Sequence, residues 1–331
     1  MKNQKSKVGV LLINLGTPEG TDSKNVRKYL REFLSDRRVI EWPRIFWYPI
    51  LYGIVLNVRP KKSGALYKRI WNNKLNESPL RTYTRAQSEK LGEIFKNTNV
   101  IVDWAMRYGK PSIGEVLERM IKEGCEKILF FPLYPQYSAT TTATVLDSVF
   151  ASLEKRRYLP AIRSVPPYSD DPVYIDALAQ SVERHLKTLG FVPEKIIASY
   201  HGIPQSYAKR GDPYPEECQR TTTALRQKLQ LGEDKLIMSF QSRFGPEEWL
   251  QPYTAETVEK LAKEGVKSIV VFNPGFVVDC LETVDEMGHE AKKTFLENGG
   301  VNFFHIPCLN DSEEGMKVIA HLVKQELQGW I

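Results

Sequence analysis

Hydrophobic residues in this chain gather in six short runs that stop at turn residues and are separated by stretches of helical periodicity. Each run is apolar on both faces, which is typical of strands buried in a parallel sheet. The runs cover residues 8–15, 101–106, 128–133, 196–200, 236–240 and 269–272. Strands that alternate with helices predict an α/β fold.

The ends of these strands repeat between the two halves of the chain. NLGTP (14–18) matches YHGIP (200–204), RYGKP (107–111) matches RFGPE (243–247), and KEGCEKILFFP (122–132) matches KEGVKSIVVFNP (263–274). Any α/β protein ends strands with Gly and Pro, so one match means little. Three matches in the same order predict two similar Rossmann-like lobes with parallel sheets and a ligand cleft between them.

The length of 331 residues is consistent with two domains. We expect lobes at residues 1–168 and 169–308, and a C-terminal helix within 309–331 that packs back on the first lobe. The net charge of +6 is scattered and includes no basic run of the kind that binds nucleic acid. Neither GxGxxG nor GxxxxGK[ST] follows a strand, so nucleotide binding has little support.

The cysteines lie far apart and form no CxxC pair, which argues against a disulfide framework, a structural zinc site or an iron–sulfur cluster. They are Cys125, Cys218, Cys280 and Cys308. The basic N-terminus followed by an apolar run resembles a signal peptide superficially, but the run is short, β-branched and ends in a Gly-Thr-Pro turn. We interpret it as the first strand of a cytoplasmic protein.

His201 is the first candidate for chemistry. It ends the run at 196–200, directly before Gly202 and Pro204 in SYHGIP. A lone histidine is usually structural, but a strand-end histidine before a Gly-x-Pro turn has little space as a core residue. Because ligands of α/β sheets bind at the carboxyl ends of strands, we expect His201 to face the cleft.

The segment from Cys280 onward predicts a helix with two faces. Apolar residues at helical spacing form the core-facing stripe: Leu281, Val284, Gly288, Ala291 and Phe295. The other face carries Glu282, Glu286 and Glu290, four residues apart. Such a row is either a solvated surface or, at the cleft end of a strand, a path of oxygen ligands for a divalent cation.

The aromatic segment WPRIFWYPILYGIVL, residues 42–56, begins at Trp42 and ends at Leu56. It is too short to cross a bilayer, which needs about 20 apolar residues, and Pro43, Pro49 and Gly53 interrupt it. It could be a core helix, the lip of a site for a large flat anionic ligand, or a peripheral membrane contact.

Four segments together resemble the ferrochelatase family: SYHGIPQSY, SFQSRFGPEEWLQPYT, FFPLYPQYSATTTA and NPGFVVDCLETVDE. The resemblance extends over nearly the whole chain. It implies insertion of Fe2+ into protoporphyrin IX by a monomer of two Rossmann-like lobes, with porphyrin and iron as substrates and no permanently bound cofactor.

The resemblance also implies roles for individual residues. His201 and Glu282 correspond to the family's metal- and proton-handling pair, and Glu286 and Glu290 to its acidic row, on a helix with a π-type distortion. Further positions resemble residues that contact the porphyrin or line the cleft: Arg59, Tyr67, Ser78, Arg107, Tyr108 and Trp249.

Two departures from the family pattern stand out. Cys280 replaces a histidine found in many relatives, and the chain ends in HLVKQELQGWI, without the cysteines that hold an iron–sulfur cluster in animal enzymes. The alternatives are a chelatase for Co2+, Ni2+ or coproporphyrin, and a two-lobed protein that binds a tetrapyrrole without turnover.

Overall fold

A computed structural model describes residues 6–154 and 156–331 of the chain. These residues form two compact units. One comprises the residues up to Leu133, Ser138–Pro166 and Ile319–Ile331, and the other comprises Tyr134–Tyr137 and Pro167–Val318. Each unit contains one sheet of four parallel strands.

The sheet of the first unit has the strand order β2-β1-β3-β4. Its strands are β1 (Lys7–Gly16), β2 (Val100–Tyr108), β3 (Cys125–Pro132) and β4 (Ala161–Ser164). The helices of this part of the chain are α1 (Ser23–Leu34), α2 (Arg44–Ile50), α3 (Leu56–Ile70), α4 (Pro79–Phe95), α5 (Ile113–Lys122) and α6 (Thr144–Leu153). Two π-helical turns adjoin them: π1 (Leu51–Val55) before α3 and π2 (Ala139–Ala143) before α6.

The sheet of the second unit has the corresponding order β6-β5-β7-β8. Its strands are β5 (Lys195–His201), β6 (Leu236–Gln241), β7 (Ser268–Phe272) and β8 (Asn302–His305). The helices are α7 (Pro172–Thr188), α8 (Gln205–Lys209), α9 (Tyr214–Leu229), α10 (Thr254–Lys263), π3 (Glu282–Ala291) and α11 (Lys292–Glu297). After β8, α12 (Glu313–Glu326) continues into the residues assigned to the first unit.

The predicted α/β fold with two parallel sheets is confirmed, and all six predicted strands are present. The prediction omitted β4 and β8, which are four residues long and lie at one edge of each sheet. Neither strand contains a buried residue, so neither has the doubly apolar pattern that identified the other six.

The aromatic segment forms α2 and π1 and buries one face only. Trp47 and Leu51 are buried, and the indole N–H of Trp47 donates to the carbonyl oxygen of Leu34 at 2.7 Å. The opposite face exposes large apolar side chains: Ile45 is 77%, Phe46 65% and Ile54 60% exposed. Part of this segment is therefore core and part is apolar surface. No helix within residues 6–154 and 156–331 is long and apolar enough to span a bilayer.

Candidate active site

The candidate residues of the second unit gather at the carboxyl edge of its sheet. His201 is the last residue of β5 and is paired in register with Gln241, the last residue of β6. The chain leaving β7 at Phe272 leads to π3, which begins at Glu282. Three neighbouring strands thus deliver an imidazole, an amide and a carboxylate to one edge, where ligands of parallel sheets bind.

The imidazole of His201 has a defined orientation. Its Nδ1 lies 2.6 Å from the carbonyl oxygen of Gly202, and a carbonyl can only accept a hydrogen bond. The neutral ring therefore carries its proton on Nδ1 and leaves the lone pair on Nε2. The rings of Trp249 and Phe276 flank it, with centroids 6.4 and 6.5 Å away.

The turn after His201 explains the Gly-x-Pro sequence. A Cβ atom on Gly202 would lie 3.0 Å from the carbonyl oxygen of Gln241 and 3.1 Å from Cε3 of Trp249, so only glycine allows this approach. Pro204 then pairs with Trp249 in an antiparallel bridge, and Leu250 N–H donates to Ile203 at 3.0 Å. The turn holds Trp249 against the imidazole.

Phe276 and Gln241 were missing from the predicted site, although both lie in the segments that carry the family resemblance. The indole N–H of Trp249 is buried and has no acceptor among the described residues. Trp249 itself was predicted as a ligand contact, and its position beside His201 is consistent with that role.

The acidic segment is a π-helix of ten residues, Glu282–Ala291, as the family resemblance implied. The predicted core-facing stripe is wrong at Leu281, Val284 and Gly288, which are only partly buried. The stripe is correct at Ala291 and Phe295, which are buried, and the other buried positions are Thr283, Asp285 and Met287. A π-helix bonds residues five apart, which widens each turn and changes the face that meets the core.

The acidic row on π3 becomes more exposed along the helix. Glu282 and Glu286 are partly buried, whereas Glu290 is exposed. Burial raises the pKa of Glu286, while hydrogen bonds from Ser242 and the charge of a protonated His201 act in the opposite direction. His201 and Glu286 are therefore close enough to interact electrostatically.

Cys280, which replaces the histidine of many relatives, does not supply a second base. Burial raises the pKa of its thiol well above the ordinary value, and the adjacent carboxylate of Glu282 raises it further. Among residues 6–154 and 156–331, no three His, Cys, Asp or Glu side chains are grouped so that they could hold a metal ion.

A chain of buried amides supports this edge of the sheet. Asn273 donates to Oε1 of Gln241 at 2.7 Å and to the carbonyl oxygen of Ser199 at 3.0 Å. Both N–H groups of the Asn273 amide are used in these bonds, so the atom that faces His305 is the amide oxygen. This oxygen accepts a hydrogen bond from Nε2 of His305, 2.8 Å away. This network joins residues from four strands or the loops after them, and no local sequence pattern indicates it.

Three predicted porphyrin contacts lie on or beside α3 and α4 of the first unit. Arg59 is exposed on α3, whereas Tyr67 is buried, with its ring edge-on to Tyr29 at 6.5 Å. Ser78 is 1% exposed and caps the N-terminus of α4 by accepting from the backbone N–H of Arg81. Of these three, only Arg59 is exposed, although burial of part of its side chain lowers the pKa of the guanidinium.

Arg107 and Tyr108 end β2 and are held by Asp36. The guanidinium of Arg107 donates to Asp36 at 2.5 Å and to the carbonyl oxygen of Thr144 at 2.7 Å. The hydroxyl of Tyr108 donates to the same carboxylate at 2.9 Å, and its side chain is fully buried. The expected cleft-lining role is therefore not supported for Tyr108, whose ring has no exposed surface for a ligand.

Two sheets of four parallel strands, each with flanking helices, are also the fold of solved chelatases. SirB of Bacillus subtilis, solved with Fe3+, has this fold, with a TM-score of 0.57 and 12% identity over 96% of this chain and 95% of that one. A sirohydrochlorin chelatase SirB from Bacillus subtilis subspecies spizizenii, in complex with cobalt, gives a TM-score of 0.52 and 11% identity, over 96% and 94%.

The chain belongs to the ferrochelatase family, whose sequence model matches residues 7–327. It is 68% identical over 326 residues to the ferrochelatases of Brucella ovis and Brucella abortus strain S19, covering 98% of this chain and 93% of theirs. The resemblance inferred from the sequence is confirmed. The protein is a metal-inserting lyase, and the reaction of its family is insertion of Fe2+ into protoporphyrin in haem synthesis.

Proposed function

We propose that this chain inserts Fe2+ into protoporphyrin IX at the carboxyl edge of the second unit's sheet, with His201 accepting a pyrrole proton. The observation that carries this proposal is the hydrogen bond from Nδ1 of His201 to Gly202, which leaves the basic Nε2 lone pair available. A neutral imidazole whose Nδ1–H is held by a carbonyl can accept a proton at Nε2 and release it again in each turnover.

The reaction exchanges ligands without changing oxidation states. Two pyrrole N–H bonds break, bonds from Fe2+ to the porphyrin nitrogens form, water leaves the iron and two protons leave the ring. We assign the first proton to Nε2 of His201 and the second to the carboxylate of Glu282. Imidazole and carboxylate also suit Fe2+ as ligands, so both residues can contact the metal in transit.

Glu290 and Glu286 would deliver the metal along π3. Glu290 is exposed and Glu286 is partly buried, so the row leads from solvent toward the region of His201. Carboxylate oxygens can replace the iron's water ligands one at a time, which spreads the cost of dehydration over several exchanges. The absence of an assembled metal centre in the described residues fits a row that passes the ion on.

Porphyrin binding would use the aromatic residues beside His201. Trp249 and Phe276 offer flat apolar surface beside the imidazole.

The test is a His201→Ala variant, mixed anaerobically with Fe2+ and protoporphyrin. We expect insertion to fall by about 10² to 10⁴ while porphyrin still quenches tryptophan fluorescence. His185→Ala is the matched control, since its Nδ1 also lies 2.7 Å from a backbone carbonyl, that of Ser181. If the His201 variant loses porphyrin affinity in proportion to activity, His201 binds the porphyrin and does not accept its proton, and the proposed role of His201 fails.

Metal and porphyrin selectivity need a separate measurement. Affinity order alone would favour Ni2+ over Fe2+ at a site of nitrogen and oxygen ligands. Steady-state insertion of Fe2+, Co2+ and Ni2+ into protoporphyrin and coproporphyrin distinguishes the alternatives. We expect the highest kcat/KM for Fe2+ with protoporphyrin, by a monomeric cytoplasmic protein whose absorption spectrum shows no iron–sulfur cluster.

We also propose that α2 and π1 attach the protein to the surface of an anionic membrane. The exposed side chains of Ile45, Phe46 and Ile54 form an apolar surface on one helical face. Exposed cations precede and follow the segment in sequence, namely Arg37, Arg59, Lys61 and Lys62. Apolar insertion combined with basic residues is the usual basis of interfacial binding to anionic lipids.

Flotation with phosphatidylglycerol and phosphatidylcholine vesicles tests the membrane proposal. Wild-type protein should float with the anionic vesicles, and a Phe46→Ser, Ile54→Ser variant should not. Val192→Ser is the control, because Val192 is 84% exposed on the second unit and belongs to no such surface. Equal flotation of all three proteins would contradict the proposal.

A further inference from the structure

The carboxylate of Glu286 is held from both sides by a single residue, Ser242. The backbone N–H of Ser242 donates to Oε1 of Glu286 at 2.7 Å, and its hydroxyl donates to Oε2. Gln241 adds a long contact from Nε2 to Oε2 at 3.5 Å. A carboxylate with a donor on each oxygen is fixed in rotation as well as in position.

Ser242 adopts an unfavourable backbone conformation in making this contact. Its φ of 67° lies in the left-handed region, which serine rarely adopts. Such residues persist where the surrounding structure holds them, and they concentrate at functional sites. Here the left-handed conformation brings the N–H and the hydroxyl of one residue to the same carboxylate.

Buried hydrogen bonds fix the backbone next to Ser242. Ser242 directly follows Gln241, whose Oε1 accepts from Ser199 and Asn273, each at 2.7 Å. All three supporting side chains are buried. These hydrogen bonds connect Ser242 to the ends of β5, β6 and β7. Glu286 is therefore held in position by the sheet, through Ser242, as well as by π3.

We propose that Ser242 is a positioning residue that keeps the carboxylate of Glu286 in a fixed orientation at the end of β6, as a ligand for the incoming iron. This inference rests on the proposed function. Oε1 of Glu286 accepts one hydrogen bond, from the backbone N–H of Ser242, and keeps a second lone pair, so Glu286 can bind a metal without leaving Ser242. Removing the hydroxyl should let the carboxylate rotate and should weaken the capture of Fe2+, but not of porphyrin.

Two variants that lack the hydroxyl distinguish the effect of its hydrogen bond to Glu286 from the effect of the unfavourable backbone conformation at residue 242. Ser242→Ala keeps the strained conformation, whereas Ser242→Gly relaxes it, and both keep the N–H. We expect both to raise KM for Fe2+ about three- to tenfold, the range that corresponds to loss of one ordinary intramolecular hydrogen bond, with KM for protoporphyrin unchanged.

Ser206→Ala is the matched control, because Ser206 contacts a different carboxylate, that of Glu247, at 3.5 Å. The inference is overturned if KM for Fe2+ is unchanged or falls in Ser242→Ala, or if both KM values rise together in the Ala and Gly variants. If His201→Ala and Glu282→Gln keep wild-type activity, the proposed function itself fails. That result differs from failure of the Ser242 inference, which concerns only the KM values of the Ser242 variants.

Discussion

Gln241 donates a hydrogen bond from Nε2 to the backbone carbonyl oxygen of Glu282 at 2.7 Å, which ties the end of β6 to the first residue of π3. The carbonyl of Glu282 lies at the start of the π-helix, where the acidic row begins. One amide thus connects the strand that carries Ser242 with the helix that carries Glu282 and Glu286.

Gln241→Leu should therefore damage both stability and activity. The leucine would leave the buried hydroxyl of Ser199 and the amide of Asn273 without their acceptor, at a cost of about 1–3 kcal/mol each. We expect the free energy of unfolding to fall by about 2–4 kcal/mol in urea titrations. We also expect insertion to slow more than porphyrin binding weakens.

Gln219→Leu is the control for this substitution. Gln219 is exposed on α9 and donates only to the hydroxyl of Thr223 at 3.2 Å, so its loss should change stability by less than about 0.5 kcal/mol. Equal stability of the two variants would show that the buried network does not stabilise this edge of the sheet.

Gly202→Ala tests the close approach beside His201. The added Cβ would press on the carbonyl oxygen of Gln241 and on the ring of Trp249. Backbone gives way less easily than the end of a flexible side chain, so we expect a loss of about 1–3 kcal/mol and a shift in tryptophan emission.

Gly190→Ala provides the comparison for that variant, since nothing lies within 4 Å of the Cβ position at Gly190. It should be neutral or stabilising by up to about 1 kcal/mol. The explanation given for SYHGIP would be wrong if the two alanine variants had the same stability and the same emission spectrum.

The sequence predicted the longer strands of the two sheets better than the short ones. Burial of apolar residues produced the six predicted runs, including those of the edge strands β2 and β6. The strands AIRS and NFFH were missed because each is four residues long and contains no buried residue. Their pairing depends on the neighbouring strand more than on their own pattern.

The site was predicted in part for a similar reason. His201 was identifiable because a turn follows it directly, and the acidic row because of its regular spacing. The buried face of π3 was assigned incorrectly, since an α-helical period was applied to a π-helix. The contacts of Gln241 and Ser242 join residues more than 30 positions apart, and such contacts leave no periodic signal in the chain.

His305 should make stability depend on pH on the acidic side of neutrality. Burial lowers its pKa to about 4, nearby His289 lowers it, and Asp279 opposes the shift. The unfolded chain binds this proton near pH 6.5, so the native state loses stability as pH falls from about 6.5 to about 4. Below that range both states are protonated and the loss is complete.

The pH effect is measured as the difference between wild type and His305→Gln. Glutamine can keep a donor toward Asn273 but does not titrate. Between pH 7.5 and 5.0, wild type should lose about 2 kcal/mol more than the variant in urea unfolding. Parallel pH profiles for the two proteins would contradict a buried neutral imidazole.

Asp36→Asn tests the view that Arg107 and Tyr108 support the fold of the first unit. The side chains of Arg107 and Asp36 are only 16% and 10% exposed, so neutralising Asp36 leaves a largely buried guanidinium without its counter-ion. Breaking such a pair costs about 3–5 kcal/mol, and we expect a loss near the lower value in urea unfolding because Thr144 still accepts from Arg107.

Glu19→Gln is the matched control, since the Lys28–Glu19 pair is well exposed and should contribute less than about 1 kcal/mol. If Asp36→Asn instead left stability unchanged and raised the KM for protoporphyrin, Arg107 would act on the substrate and not on the fold.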